Sequence, residues 1–255
     1  MLRKNLTKEK IKSGQVAIGC RMDFASPFVV ETLGKAGYDF VYFDCEHSTL
    51  SHGVCEEMIR AAELVGLTPL VRVESPEPWT ILRYLDAGMT GVILPHCDTK
   101  ATAEAAVRAV KYPPEGERGI AGRSFMLSGM SVPDYLQAAN KETLVCVMIE
   151  DVKGLTHASE ILTVEGLDVI FIGRLDLSIS MGIPGQIDNP AILEAIKKLI
   201  PQARAAGKAV GVGAIDAGRP ERVREFIAQG AQFFALNTAG ILTSASKALL
   251  KNIRG

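Results

Sequence analysis

The stretch FVYFDCEH closes an apolar run with three ionisable side chains, Asp44, Glu46 and His47. Burying a charge is costly unless it is paired, hydrogen-bonded or bound to a metal, so this run end is either a polar fringe or a place where chemistry occurs. An imidazole at His47 suits a general base near neutral pH. Asp44, three residues earlier, is spaced to orient its ring; the competing reading is a histidine merely satisfied at a strand end. Arg72 interrupts the apolar stretch LVRV. A guanidinium keeps its charge and favours a planar anion in fork geometry, so its partner is either an internal carboxylate or a substrate carboxylate. Two further acids follow apolar runs, Glu150 after CVMI and Asp176 after FIGRL. Two carboxylates converging in a cleft must share a proton or a cation, and one or two carboxylates plus water and substrate oxygens is the usual way to hold Mg²⁺. The alternative is a pair of solvated strand-end acids or helix caps. His96 and Cys97 lack partners at soft-metal spacing, and Cys45 beside His47 is a weaker candidate nucleophile.

The elements that must position these groups are legible as a rhythm. Short apolar runs recur at 16–20, 40–44, 68–73, 91–97, 143–150, 168–173, 208–215 and 232–237. Each is nearly continuous rather than alternating, as in strands buried on both faces. Between them lie helical patterns with capping residues or proline at the start and glycine at the stop, for example SPFVVETLGKAG and RPERVREFIAQG. Eight strands alternating with helices over this length predict one (β/α)8 barrel spanning 1–255; an open doubly wound sheet is the runner-up. No G-x-G-x-x-G follows the first run, which weighs against the open dinucleotide fold. In a barrel the site lies at the C-terminal strand ends, where Asp44, Arg72, His96, Glu150 and Asp176 fall. The stretch at about 112–142 breaks the rhythm. It is too long for an ordinary connection and is read as a substrate-covering or subunit-bridging loop.

Composition excludes several classes. A formal net charge of −1 supplies no field to draw in nucleic acid or an anionic membrane. Apolar residues make up 47%, yet no uninterrupted run approaches the roughly 18 residues of a membrane span. The five cysteines form no C-x-x-C pair, and the charged start MLRKNLTKEKIKSG has no secretory h-region. A reducing cytoplasm is the expected setting.

Taken together, GYDFVYFDCEH, PLVRVESPEPWTILRYLDAGMTGVILPHCDT, AVKYPPEGERG, VCVMIEDVKGL and VEGLDVIFIGRLDLSISMG resemble the HpcH/HpaI-type class II pyruvate aldolases, which act on 4-hydroxy-2-oxoheptanedioate and 2-keto-3-deoxy sugar acids. The resemblance implies a (β/α)8 barrel, a homohexamer with an exchanged C-terminal helix, and a divalent cofactor (Mg²⁺, Mn²⁺ or Co²⁺) held by Glu150 and Asp176. By the same resemblance Arg72 holds the keto acid, His47 is the base, Asp44 and Asp86 orient it, and Gly173, Arg174 and Leu175 meet the substrate. The implied reaction is retro-aldol cleavage of a 4-hydroxy-2-keto acid to pyruvate and an aldehyde. Oxaloacetate decarboxylation or a citrate-synthase-like condensation on the same site, or a non-catalytic scaffold, are the alternatives. A Schiff-base mechanism would have Lys153 as its candidate. Cys45 stands where the family commonly has glycine, and Arg174 and Leu175 stand where it has proline and alanine. Arg174 and Arg123 would add positive charge near the second substrate, suiting an acidic partner.

Overall fold

The computed structural model describes residues 2–254; Met1 and Gly255, the outer limits of the expected domain, lie outside them. Along the chain run α1 (Leu6–Lys12), β1 (Ala17–Met22), α2 (Pro27–Lys35), β2 (Phe40–Asp44), α3 (His52–Leu64), β3 (Thr68–Arg72), α4 (Pro78–Ala87), β4 (Gly91–Leu94) and α5 (Lys100–Val110). There follow α6 (Gly122–Met126), α7 (Val132–Glu142), β5 (Leu144–Ile149), α8 (Val152–Thr156), α9 (Ala158–Ile161), β6 (Val169–Ile172) and α10 (Arg174–Ser180). Last come α11 (Pro190–Ala205), β7 (Ala209–Ile215), α12 (Pro220–Gln229), β8 (Phe233–Asn237) and α13 (Thr238–Arg254). All eight strands pair in parallel, each with its sequence neighbour, and β8 closes on β1. This is the predicted (β/α)8 barrel; the open-sheet alternative is excluded by that closure.

The helices begin and end where local chemistry dictates. Ser26, Ser51 and Thr99 accept from the backbone N–H three residues on and so cap α2, α3 and α5. Proline opens α2, α4, α11 and α12, where its missing N–H is not needed.

The interior is built by the two-residue period of the strands. Ala17, Phe40, Tyr42, Leu70, Ile93, Cys146, Met148, Phe171, Phe233 and Ala235 fill the barrel as one buried cluster, with Ile11 of α1 among them. Phe40 stacks on Phe233 with ring centroids 4.3 Å apart, and Phe171 meets Phe233 edge-on. Gly19 makes room for these rings: a Cβ there would lie 2.4 Å from the Phe40 ring. Continuing the same parity toward the C-terminal strand ends brings Arg21, Asp44, Arg72, Glu150, Gly173 and Asn237 to the mouth.

The stretch at 112–142 is not a featureless loop. It contains α6 and α7, the latter capped by Ser131 with Pro133 in its first turn. Within VPDYLQAANKE, Tyr135 and Ala139 are buried and form a small satellite cluster with Tyr112. The stretch follows a helix and precedes a strand, so it runs beneath the N-terminal end of the barrel, where Arg118 pairs with Asp86 at 3.0 Å and Arg123 with Glu63 at 2.8 Å. The expectation that it covers the substrate therefore fails within this chain, because it lies at the end opposite the strand-end acids.

Candidate active site

Asp44 and Arg72 occupy adjacent register positions on β2 and β3. Arg72 donates from Nε to Asp44 Oδ1 at 2.9 Å and from Nη2 to Oδ2 at 2.6 Å, a two-pronged contact buried at both ends. Burial opposes ionisation of Asp44, but the Arg72 guanidinium holds its carboxyl below the usual carboxylate range. Asp44 Oδ1 also accepts the His47 backbone N–H at 3.2 Å. Asp44 thus fixes the turn that carries His47 rather than its ring. The His47 ring is more than half exposed, with Nε2 3.6 Å from Glu46 Oε2.

Glu46 joins the two halves of the cluster. Oε2 lies 3.2 Å from Arg72 Nη1 and Oε1 lies 2.9 Å from His96 Nε2. His96 adopts φ of +53° just after β4. This left-handed turn lets its backbone N–H reach Glu150 Oε1 at 2.7 Å while Nδ1 stands 3.3 Å from the same oxygen. The sequence sets Glu46 beside Asp44 and His47 without giving it a role, and sets His96 at a strand end without a partner. No motif reading couples them; their link is a contact between β2, β4 and β5.

Glu150 follows β5 and is nearly fully buried. Burial, aided by the nearby charges of Glu46 and Asp176, pushes its carboxyl above the usual range. Its Oε2 lies against the turn after β6, where a Cβ on Gly173 would come within 2.7 Å of that oxygen. Asp176 sits half-buried in the first turn of α10. Among the described residues no group of three or more His, Cys, Asp or Glu is arranged to hold a metal ion. What is present is a group of acids: the charge of Asp176 is close enough to raise the Glu150 carboxyl, and Glu46 Oε2, though it faces the Arg72 guanidinium at 3.2 Å, is buried with no hydrogen bond. Two carboxylates with further positions left to water and substrate oxygens fit a hard divalent cation.

A cavity of about 310 Å³ at the mouth is lined by Arg21, Tyr42, His47, Arg72, Met148, Gly173, Leu175, Asp176 and Asn237, among others. Arg174 also borders it but is spent inward. Its donors reach the carbonyls of Gly213, Ile187 and Ala214 and the carboxylate of Asp188. With its side chain 1% exposed, Arg174 braces β7 against the loop before α11. Neither it nor Arg123, at the far end, supplies the positive charge expected near the second substrate. Leu175 is half-exposed on the rim. Asp86, at the C-terminal end of α4, pairs with Arg118 and is not brought to His47 within the chain. Cys45 points away from the barrel and lies 3.6 Å, Sγ to Sγ, from Cys55 of α3, so its departure from glycine concerns the strand–helix interface. Nothing in the sequence singles out Arg21: the apolar run 16–20 ends at Cys20, whereas β1 continues through Met22.

A closed parallel barrel with acids, a paired arginine and histidines at its C-terminal mouth has the layout of a (β/α)8-barrel enzyme. The chain belongs to the HpcH/HpaI aldolase/citrate lyase family, whose pattern matches residues 18–245. It is 34% identical over 233 residues to a hydroxypyruvate/pyruvate aldolase of Roseovarius nubinhibens, covering 91% of this chain and 90% of that one. Its fold is similar to an HpcH/HpaI aldolase from Desulfitobacterium hafniense, with TM-score 0.90 and 28% identity over 97% of this chain and 96% of that one. It is also similar to the citrate synthase SbnG, with TM-score 0.84 and 31% identity over 97% of both chains.

Proposed function

We propose that this chain cleaves a 4-hydroxy-2-keto acid into pyruvate and an aldehyde, and runs the reverse condensation, with a divalent cation held by Glu150 and Asp176. The observation that supports this reading is that Asp176, Arg72 and His47 line one cavity at the barrel mouth, with the Glu150 carboxylate against the Gly173 turn in its wall, in a family that includes a relative named as a hydroxypyruvate/pyruvate aldolase. When bound, the cation supplies Lewis-acid polarisation of the 2-keto group. Arg72 remains charged, because Asp44 and the neighbouring acids favour its protonated form over the opposing effect of burial. Its Nη1, not used on Asp44, lies at the site to meet the keto-acid carboxylate and the negative charge that develops as the bond between C3 and C4 breaks. His47, half-exposed at the mouth, takes the proton of the 4-hydroxyl. Asp44 holds the His47 turn and the Arg72 fork at once, so base and charge stabiliser are positioned by a single carboxylate. His96, itself held by Glu46, holds Glu150 from the other side.

Lys153 is poorly suited to the competing Schiff-base chemistry. It lies on α8, well exposed, 2.5 Å from Asp98, and that carboxylate pushes its ammonium pKa up, away from the neutral amine an imine requires. The second reading, a citrate-synthase-like condensation or oxaloacetate decarboxylation on the same site, is favoured by the likeness to SbnG. Five buried free thiols suit the reducing cytoplasm in which we place the enzyme; among the described residues no helix is long and apolar enough to cross a membrane.

The test is pyruvate formation from a panel of 4-hydroxy-2-keto acids and oxaloacetate, with chelator and with Mg²⁺, Mn²⁺ or Co²⁺ restored. Chelator is expected to abolish turnover and the cations to return it. Full activity in chelator, with borohydride trapping an adduct on a lysine, would overturn the proposal.

A further inference from the structure

Three arginines line the cavity at the barrel mouth, and they differ in how their five N–H donors are used. Arg174 is spent on three carbonyls and a carboxylate. Arg72 has its fork on Asp44. Arg21 keeps 32% of its side chain exposed and donates to a carboxylate only from Nη2, to Asp23 Oδ2 at 3.2 Å. That oxygen is shared with Asn237 Nδ2, also at 3.2 Å. The Tyr42 phenol, held neutral by burial, stands beside Arg21 on the neighbouring strand. Arg21 Nε is buried without a hydrogen-bond partner and stands 3.8 Å from Asp44 Oδ2, an oxygen Arg72 already occupies. Arg21 is therefore paired with Asp23 but keeps a surplus of unspent donors at the mouth, unlike Arg174, and is not an internal brace.

Its place in the ring gives that surplus a direction. Arg21 is level with Tyr42 on β2 and Asn237 on β8. In a closed ring of eight strands in sequence order, β1 lies across the mouth from β5. For a keto acid seated at Glu150, Asp176 and the Gly173 turn, on the β5 and β6 side, β1 is the opposite wall of the mouth, facing the ligand's other end.

We propose that Arg21 is the specificity-determining residue for that far end and that it selects a carboxylate terminus. The planar fork matches a carboxylate in two-pronged geometry, and such an anion supplies the acceptors that Arg21 lacks. The inference rests on the proposed seat of the keto-acid end at Glu150 and Asp176.

The experiment compares two ligands of equal chain length that share the 2-keto acid end, 2-oxoglutarate and 2-oxopentanoate. Their binding to the full chain is measured by calorimetry in saturating Mg²⁺, with Arg21→Met and Arg21→Lys alongside. The wild type is expected to bind 2-oxoglutarate about 10- to 100-fold more tightly, the range of a charge-assisted hydrogen bond. That preference falls toward unity in Arg21→Met and is partly kept in Arg21→Lys. Because the readout is a ratio within each protein, a reduced folded fraction cancels. No preference in the wild type, or a preference that Arg21→Met leaves intact, overturns the proposal. Pyruvate formation is assayed separately. A preference that depends on Arg21 in a protein releasing no pyruvate strikes the aldolase reading alone, whereas pyruvate release without the preference strikes Arg21 alone.

Discussion

His47 and Arg72 divide the work of the site, and each division predicts a different loss. His47 is exposed and its ring makes no contact with Glu150 or Asp176, so His47→Ala is expected to lower aldol cleavage by about 10²- to 10⁴-fold, the usual worth of a general base. Pyruvate affinity should change far less. Exchange of the pyruvate methyl protons, followed by NMR, separates two roles: it survives in the variant if His47 serves only the 4-hydroxyl. Joint loss would place His47 at the C3 proton as well. Loss of neither would make His96, which already touches Glu46 and Glu150, the next residue to replace. Arg72→Lys is not a mild change. An ammonium cannot span both oxygens of Asp44, so the buried carboxylate loses one of its two charge-assisted bonds. The expected cost is about 2 kcal/mol or more in kcat/KM, read from steady-state pyruvate release. Wild-type kcat/KM in this variant would show that Arg72 serves Asp44 and nothing else.

At the scale of elements, the N-terminal end of the barrel holds a lysine in an unusual state. Lys111, at the end of α5, is 1% exposed and donates to the carbonyls of Asn140 and Thr143, tying α5 to the α7–β5 junction. Burial, with Lys8 close by, lowers its pKa to about 7. Unfolding returns it to about 10.5. Between those values the native lysine is neutral while the unfolded one keeps its proton. The unfolded state therefore binds more protons, and stability rises with pH across that window. Below about pH 7 both states are protonated and the penalty is present in full. Lys111→Met is expected to flatten the rise in unfolding free energy between pH 7 and 9, measured by urea titration at each pH. An equal rise in the variant would assign the dependence to another group.

The whole molecule leaves apolar surface uncovered where its last element departs from the barrel. On α13, Leu242, Leu249 and Ile253 are each at least 60% exposed, and Leu250 is partly so. The barrel offers this helix little beyond β1 and β8, and helices of this kind gain their stability by burying an apolar face. We propose that α13 docks on other copies of the chain, in the exchanged arrangement the family resemblance implies, with a hexamer as the assembly. Light scattering coupled to size exclusion is expected to give a multiple of the chain mass. Leu242→Glu combined with Ile253→Glu should reduce that mass without loss of helical circular dichroism. A monomeric wild type at micromolar concentration would overturn the assembly.

The barrel itself was written in the sequence. Eight continuous apolar runs separated by capped amphipathic segments admit few other solutions, because parallel strands covered by helices must be apolar on both faces. That same property hid the site. A run such as FVYFD carries no alternation, so nothing in it says that Phe40, Tyr42 and Asp44 point inward while Cys45 points to Cys55 on α3. Closure decided the parity, and with it which polar residues share a cavity. Asp44, Glu150 and Asp176 are legible because they close or follow apolar runs, and Arg72 because it interrupts one. Glu46 and His96 were not legible as a pair, since their link exists only where β2, β4 and β5 come together. The roles of the arginines also depended on tertiary structure. A guanidinium reads the same in any sequence, but its surroundings made Arg174 a brace, set Arg123 at the opposite end, and left Arg21 with unspent donors at the mouth.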